Sequence, residues 1–174
     1  MADLVNQRIQ KFPPNSTMDT PGITVAGGNG KGSGAHQLNN PNGVFVDAEG
    51  AIFIADTEND RVQKWNIGAS FGTTVAGGNG RGSSDNQLSA PWNLFIRSDG
   101  TIYVADTFNH RIQKFQSNST SVTDGFTVAG GAMFGNGSDL HQLNFPTSVQ
   151  VDAAGTVYAC DSGNDRIQKF IPRK

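Results

Sequence analysis

Short apolar runs alternate with glycine-bearing polar turns along this chain, and the runs return in a fixed order. Val44-Phe45-Val46, Leu94-Phe95-Ile96 and Val149-Gln150-Val151 each follow a proline, at Pro41, Pro91 and Pro146. A proline fixes φ and has no N–H for a ladder, so it marks entry to a strand. Gly50, Gly100 and Gly155 then supply the positive φ of a tight hairpin turn. The next runs, Ile52 to Ala55, Ile102 to Ala105 and Val157 to Cys160, are apolar on both parities. Strands of that kind need cover on both faces. A third run alternates as Arg-Ile/Val-Gln-Lys-Phe/Trp, with Arg, Gln and the aromatic on one face and Ile/Val and Lys on the other. Its lysine is expected to guard an exposed edge. The fourth run is Thr-Val-Ala-Gly-Gly, at Thr24, Thr74 and Thr127. No apolar period of 3.6 residues is sustained, so no long helix is expected.

The third run belongs to an eleven-residue block that occurs four times, from Ala2, Ala55, Ala105 and Cys160. Its arginines are Arg8, Arg61, Arg111 and Arg166, at intervals of 53, 50 and 55 residues. A period of that size marks a repeat architecture. Four short antiparallel strands per period make a sheet that cannot cover both faces alone. Radial packing of successive sheets covers them, so the expected fold is an all-β propeller of four-stranded blades. The blades are assigned to residues 41–78 and 91–131, with partial blades at 2–28 and 146–171, in one segment spanning 1–174. The strands expected are two, four, four and three.

Composition narrows the partners. Thirteen basic residues against fifteen acidic give a net charge of −2, and eight of the thirteen are spread by the repeat. A dominant nucleic-acid surface is therefore not expected. No membrane span or signal peptide is visible. The single cysteine, Cys160, stands where Ala55 and Ala105 stand, so a small buried residue is expected rather than a reactive thiol. The residues set no compartment.

Candidate chemistry is repeated rather than singular. Asp56, Asp106 and Asp161 recur with Arg61, Arg111 and Arg166 in every period, whereas a catalytic group is normally needed once. They read as structural: the carboxylate takes backbone or arginine donors at the corner, and the guanidinium clamps neighbouring strands or blades. His36 and His141 share one place before Gln-Leu, without paired ligands at metal-binding spacing. His110 stands where Gln7, Asp60 and Asp165 stand, and reads as a tolerated surface variant. The Gly27–Ser33 and Gly77–Ser83 loops resemble phosphate cradles only in glycine content, since no Gly-Lys-Ser/Thr and helix follow. They read as mobile connections between blades. Lys31, His36, Arg81, Met133, Phe134 and His141 are the candidate partner-contact residues of this loop face. No catalytic residue, cofactor or metal is assigned.

The string from Gly43 to Trp65, with its counterparts Asn93 to Phe115 and Ser148 to Phe170, resembles the NHL repeat. The resemblance implies a β-propeller, most often six-bladed. It also implies a range of roles: protein- or RNA-binding platforms, sensor domains and, in a few cases, enzymes such as metal-dependent lyases. Three periods cannot close a ring, and an open half-ring exposes two blade faces. The expectation is therefore a non-enzymatic scaffold, binding a protein or peptide, whose half-propeller closes as a homodimer. The Thr24–Gly28 strand of one chain would complete the last blade of the other, with the Arg8 and Arg166 strands competing for one slot. The alternative is a fragment of a longer protein that binds RNA or acts as a metal-dependent lyase.

Overall fold

The computed structural model describes residues 1–131 and 136–172. Among the described residues, fourteen strands form four antiparallel sheets in chain order. The first holds β1 (Ala2–Asp3), β2 (Arg8–Lys11) and β3 (Ile23–Gly27). The second runs β4 (Pro41–Val46), β5 (Ile52–Asp56), β6 (Arg61–Trp65) and β7 (Thr73–Gly77). The third runs β8 (Pro91–Ile96), β9 (Ile102–Asp106), β10 (Arg111–Phe115) and β11 (Phe126–Gly130). The fourth holds β12 (Pro146–Val151), β13 (Val157–Asp161) and β14 (Arg166–Phe170). Each sheet is a meander, with every strand hydrogen-bonded to its neighbour in sequence.

The first sheet has one strand more than the repeat pattern predicts. Ala2 and Asp3 pair with Ile9 and Arg8, and the terminal amine donates to Gln10 O at 2.9 Å. This pairing is held by the Arg8–Asp3 ion pair at 2.8 Å, a side-chain contact that strand propensity does not reveal. The corner between second and third strands also differs from a plain turn. A one-turn 3-10 helix covers Thr57–Asn59, Thr107–Asn109 and Ser162–Asn164, too short to leave a helical period. Each ends on a residue in the left-handed region: Asp60 at φ 50°, His110 at 53° and Asp165 at 52°.

Apolar side chains fill the spaces between consecutive sheets. Ile9, Ala26, Leu38 and Ile54 join the first and second; Phe53, Val62, Ala76, Leu94 and Val104 the second and third; Ile112, Ala129, Leu143, Val149 and Ala159 the third and fourth. The two-sided apolar strands thus find cover on both faces, as a stack of blades requires. β6 and β10 lie inside their sheets, so their lysines guard no edge. Lys64 Nζ lies 5.1 Å from the centre of the Phe53 ring, a cation–π contact. At β14, which has no outer neighbour among the described residues, Lys169 does lie on a free edge and is exposed.

Candidate functional site

Corners and glycine loops meet at one end of the strands. Asp56 is fully buried, and its carboxylate accepts from Arg61 Nε at 2.7 Å, Asn59 Nδ2 at 2.8 Å and Asn39 N at 2.7 Å. Asp106 takes Arg111 Nε at 2.7 Å, Asn109 Nδ2 at 2.8 Å and Ser89 N at 2.7 Å. Asp161 takes Arg166 Nε at 2.7 Å, Asn164 Nδ2 at 2.9 Å and Asn144 N at 2.6 Å. Three donors per carboxylate use its acceptor sites within the fold. Burial pushes the Asp56 and Asp106 carboxyls above their ordinary value, against the opposing pull of the arginine and asparagine donors.

The rest of each guanidinium reaches into the loop ahead of its own sheet. Arg61 donates to Ser33 O at 2.8 Å, Gly34 O at 3.1 Å and Gln37 O at 3.2 Å. Arg111 does the same to Ser83 O, Ser84 O and Gln87 O, and Arg166 to Ser138 O, Asp139 O and Gln142 O. The planar five-donor head of arginine suits this multiple role, and lysine does not. The glycine loops are thus tied rather than loose. Asn29 Nδ2 donates to His36 O at 2.9 Å and Gln37 Nε2 to Asn29 O at 3.2 Å, while Lys31 and Leu38 form a bridge. Gly77, at φ 66°, closes the loop so tightly that a β-carbon would stand 2.4 Å from Asp60 O.

The last residue of each interior corner makes a contact that sequence reasoning missed. Asp60 Oδ1 accepts from Ala90 N at 2.8 Å, and His110 Nδ1 accepts from Phe145 N at 3.1 Å. Each therefore binds the residue just ahead of the next sheet's proline. His110 is a joint between sheets rather than a tolerated variant. Its imidazole also meets the Phe145 ring edge-on at 4.6 Å, and burial lowers its pKa from the ordinary value. The signal lay in the four-way alignment: Gln7, Asp60, His110 and Asp165 all carry a side-chain acceptor.

Among the loop candidates, Arg81 pairs with Asp60 at 3.2 Å and lies 5.9 Å from the Phe108 ring. Lys31, His36 and His141 are exposed, and Met133 and Phe134 lie outside the described residues. No three His, Cys, Asp or Glu side chains converge among the described residues in a way that could hold a metal ion. Cys160 is half-buried, with Sγ 3.6 Å from Ser162 Oγ, whereas Ala55 and Ala105 are fully enclosed. Its greater exposure follows from the open face of the fourth sheet. At the opposite end of the strands, Phe45, Phe53, Lys64, Ile67, Ile96 and Arg97 line an open groove of about 730 Å³ between the second and third sheets.

The NHL repeat family model matches residues 38–65, 91–115 and 143–170, each spanning the first three strands of a sheet. The chain carries three NHL repeats. Among curated proteins none matches it in sequence. Solved structures share its fold. A Bacteroides thetaiotaomicron protein of unknown function superposes with a TM-score of 0.70 at 15% identity, over 95% of this chain and 42% of that one. An auxiliary nutrient binding protein of the same organism gives 0.68 at 14%, over 94% and 42%. A streptogramin B lyase gives 0.55 at 11%, over 75% and 37%. The NHL chain thus spans about two-fifths of the length of these neighbours, and at such identities the likeness concerns the β-propeller fold alone. No helix among the described residues is long and apolar enough to cross a membrane.

Proposed function

We propose that this NHL chain is a non-enzymatic scaffold, a half-propeller that pairs with a second copy to form a six-bladed ring and offers its loop face to a protein or peptide. The observation that carries this reading is the contrast between equivalent residues. Val62 and Ile112 are 0% exposed, while Ile167, at the same place in the fourth sheet, is 68% exposed on a strand with an open edge. An exposed edge strand beside bare apolar surface is a pairing site. The repeated charges support a scaffold over an enzyme, because Asp56, Asp106 and Asp161 each hold three donors of the fold itself.

Sedimentation or light scattering of the purified chain tests the reading. The expected mass is twice that of the 18.4 kDa chain. A single-chain species at every concentration would overturn it. The loop face is tested by pull-down with Arg81→Glu as the control variant, which is expected to lose a partner while keeping the ring.

A further inference from the structure

Granting that two copies pair, the seam can be assigned residue by residue. We infer that it forms by strand exchange: the β13–β14 corner of one copy takes the seat ahead of Pro41 in the other, displacing that copy's own β1–β2 hairpin.

The two interior junctions define what such a seat needs. At Pro91, Thr57 Oγ1 donates to the prolyl O at 2.8 Å and Asp60 accepts from Ala90 N. At Pro146, Thr107 Oγ1 donates to the prolyl O at 2.8 Å and His110 accepts from Phe145 N. A hydroxyl and an acceptor, three residues apart, thus hold each new sheet to the corner before it. The resident corner at Pro41 is poorer. Gln7 Oε1 accepts from Asn40 N, but Leu4 stands in the threonine place and brings no hydroxyl. The fourth sheet's corner has both groups and no seat. Ser162 supplies the hydroxyl, and the exposed Asp165 carboxylate makes no hydrogen bond or ion pair among the described residues.

Charge points the same way. In the interior, Asp60 pairs with Arg81 of the following loop. The following-loop residue after Gln7 is Lys31, which has no carboxylate partner among the described residues. One end of the chain holds an unanswered cation and the other an unanswered anion, at the two halves of one junction. The strand ladder also transfers unchanged. Arg8-Ile9-Gln10-Lys11 and Arg166-Ile167-Gln168-Lys169 are identical, so β14 can adopt the register Arg8↔Gly27, Ile9↔Ala26, Gln10↔Thr24 and Lys11↔Ile23 against the other copy's β3. Ile167 then enters the nest of Leu38, Val44 and Ile54 where Ile9 is 2% exposed. Exchange keeps the ladder, gains a hydroxyl bond and an ion pair at each seam, and covers Ile167.

Charge reversal tests the seam on exposed residues that leave the core intact. Lys31→Asp and Asp165→Lys, each alone, are expected to raise the dimer dissociation constant about tenfold or more by like-charge contact at both seams. Mixed together, they are expected to form a heterodimer, because each seam then joins opposite charges. Removal of residues 1–12 frees the seat and is expected to tighten the dimer. If both single variants dimerise like the parent and show no preference for each other, the seam is wrong although the paired ring stands. A parent chain that never dimerises overturns the pairing itself. Should the truncated chain fail to fold, the charge-reversal arm still decides.

Discussion

The interior sheets and the terminal sheets carry the same motif in different states. Arg61 and Arg111 have side chains 9% and 6% exposed, each bound to a carboxylate and three loop carbonyls. Arg8, in an identical Arg-x-Gln-Lys setting, is 32% exposed, and among the described residues its side chain bonds Asp3 alone. The difference is not in the strand but in what precedes it. Arg61 clamps the glycine loop ahead of its own sheet, and Arg8 meets no such loop among the described residues. The motif therefore stabilises through its context, and the comparison can be broken experimentally.

The largest effect is expected at the clamp. Arg111→Ala leaves Asp106 buried without its cation and frees three loop carbonyls, at a cost of about 3–5 kcal/mol. Arg8→Ala should change denaturant stability little, because its pair is open to solvent. Equal losses at the two sites would refute the difference. Next comes the apolar face. Ile112→Ala should cost about 2–5 kcal/mol from a fully enclosed site. Ile167→Ala should stay within about 0.5 kcal/mol in the single chain, so a larger loss would signal that its face is covered in solution.

The junction hydroxyl is a smaller test, with opposite signs at its two ends. Thr57→Val removes the bond to Pro91 O and should cost about 1 kcal/mol, while Leu4→Thr supplies the missing donor at Pro41 and should stabilise by up to about that much. Thermal melts of the two variants check both signs. The smallest effect is pH-dependent. His110 is held neutral as an acceptor, and its folded pKa lies below its unfolded value of about 6.5. Its contribution is full above that pH. It falls as the pH drops below it, because the unfolded chain takes the proton first. His110→Gln keeps an acceptor and should flatten this part of the melting profile.

The fold was legible because period, turn glycines and prolines all pointed one way. Pro41, Pro91 and Pro146 open their strands, and the Arg-x-Gln-Lys runs form the third strand of the second, third and fourth sheets. The corner charges were legible too, since repetition of Asp56 and Arg61 argued for structure. Two things were hidden. β1 is two residues long and is held by an ion pair, which no propensity signals. The role of His110 depends on a backbone N–H 35 residues away, so its meaning appears only when consecutive sheets are docked. Lys64 was misread for a related reason: edge or interior is a property of the sheet, and β7 supplies the outer neighbour that the run itself cannot show.

Each arginine clamp grips carbonyls only 24 to 28 residues behind it, in the loop that leads into its own sheet. The second, third and fourth sheets are therefore each buttoned to their own loop before they meet a neighbour. These contacts stay within one repeat period. They also mean that a gene encoding this protein can gain or lose one whole unit without unfastening those that remain.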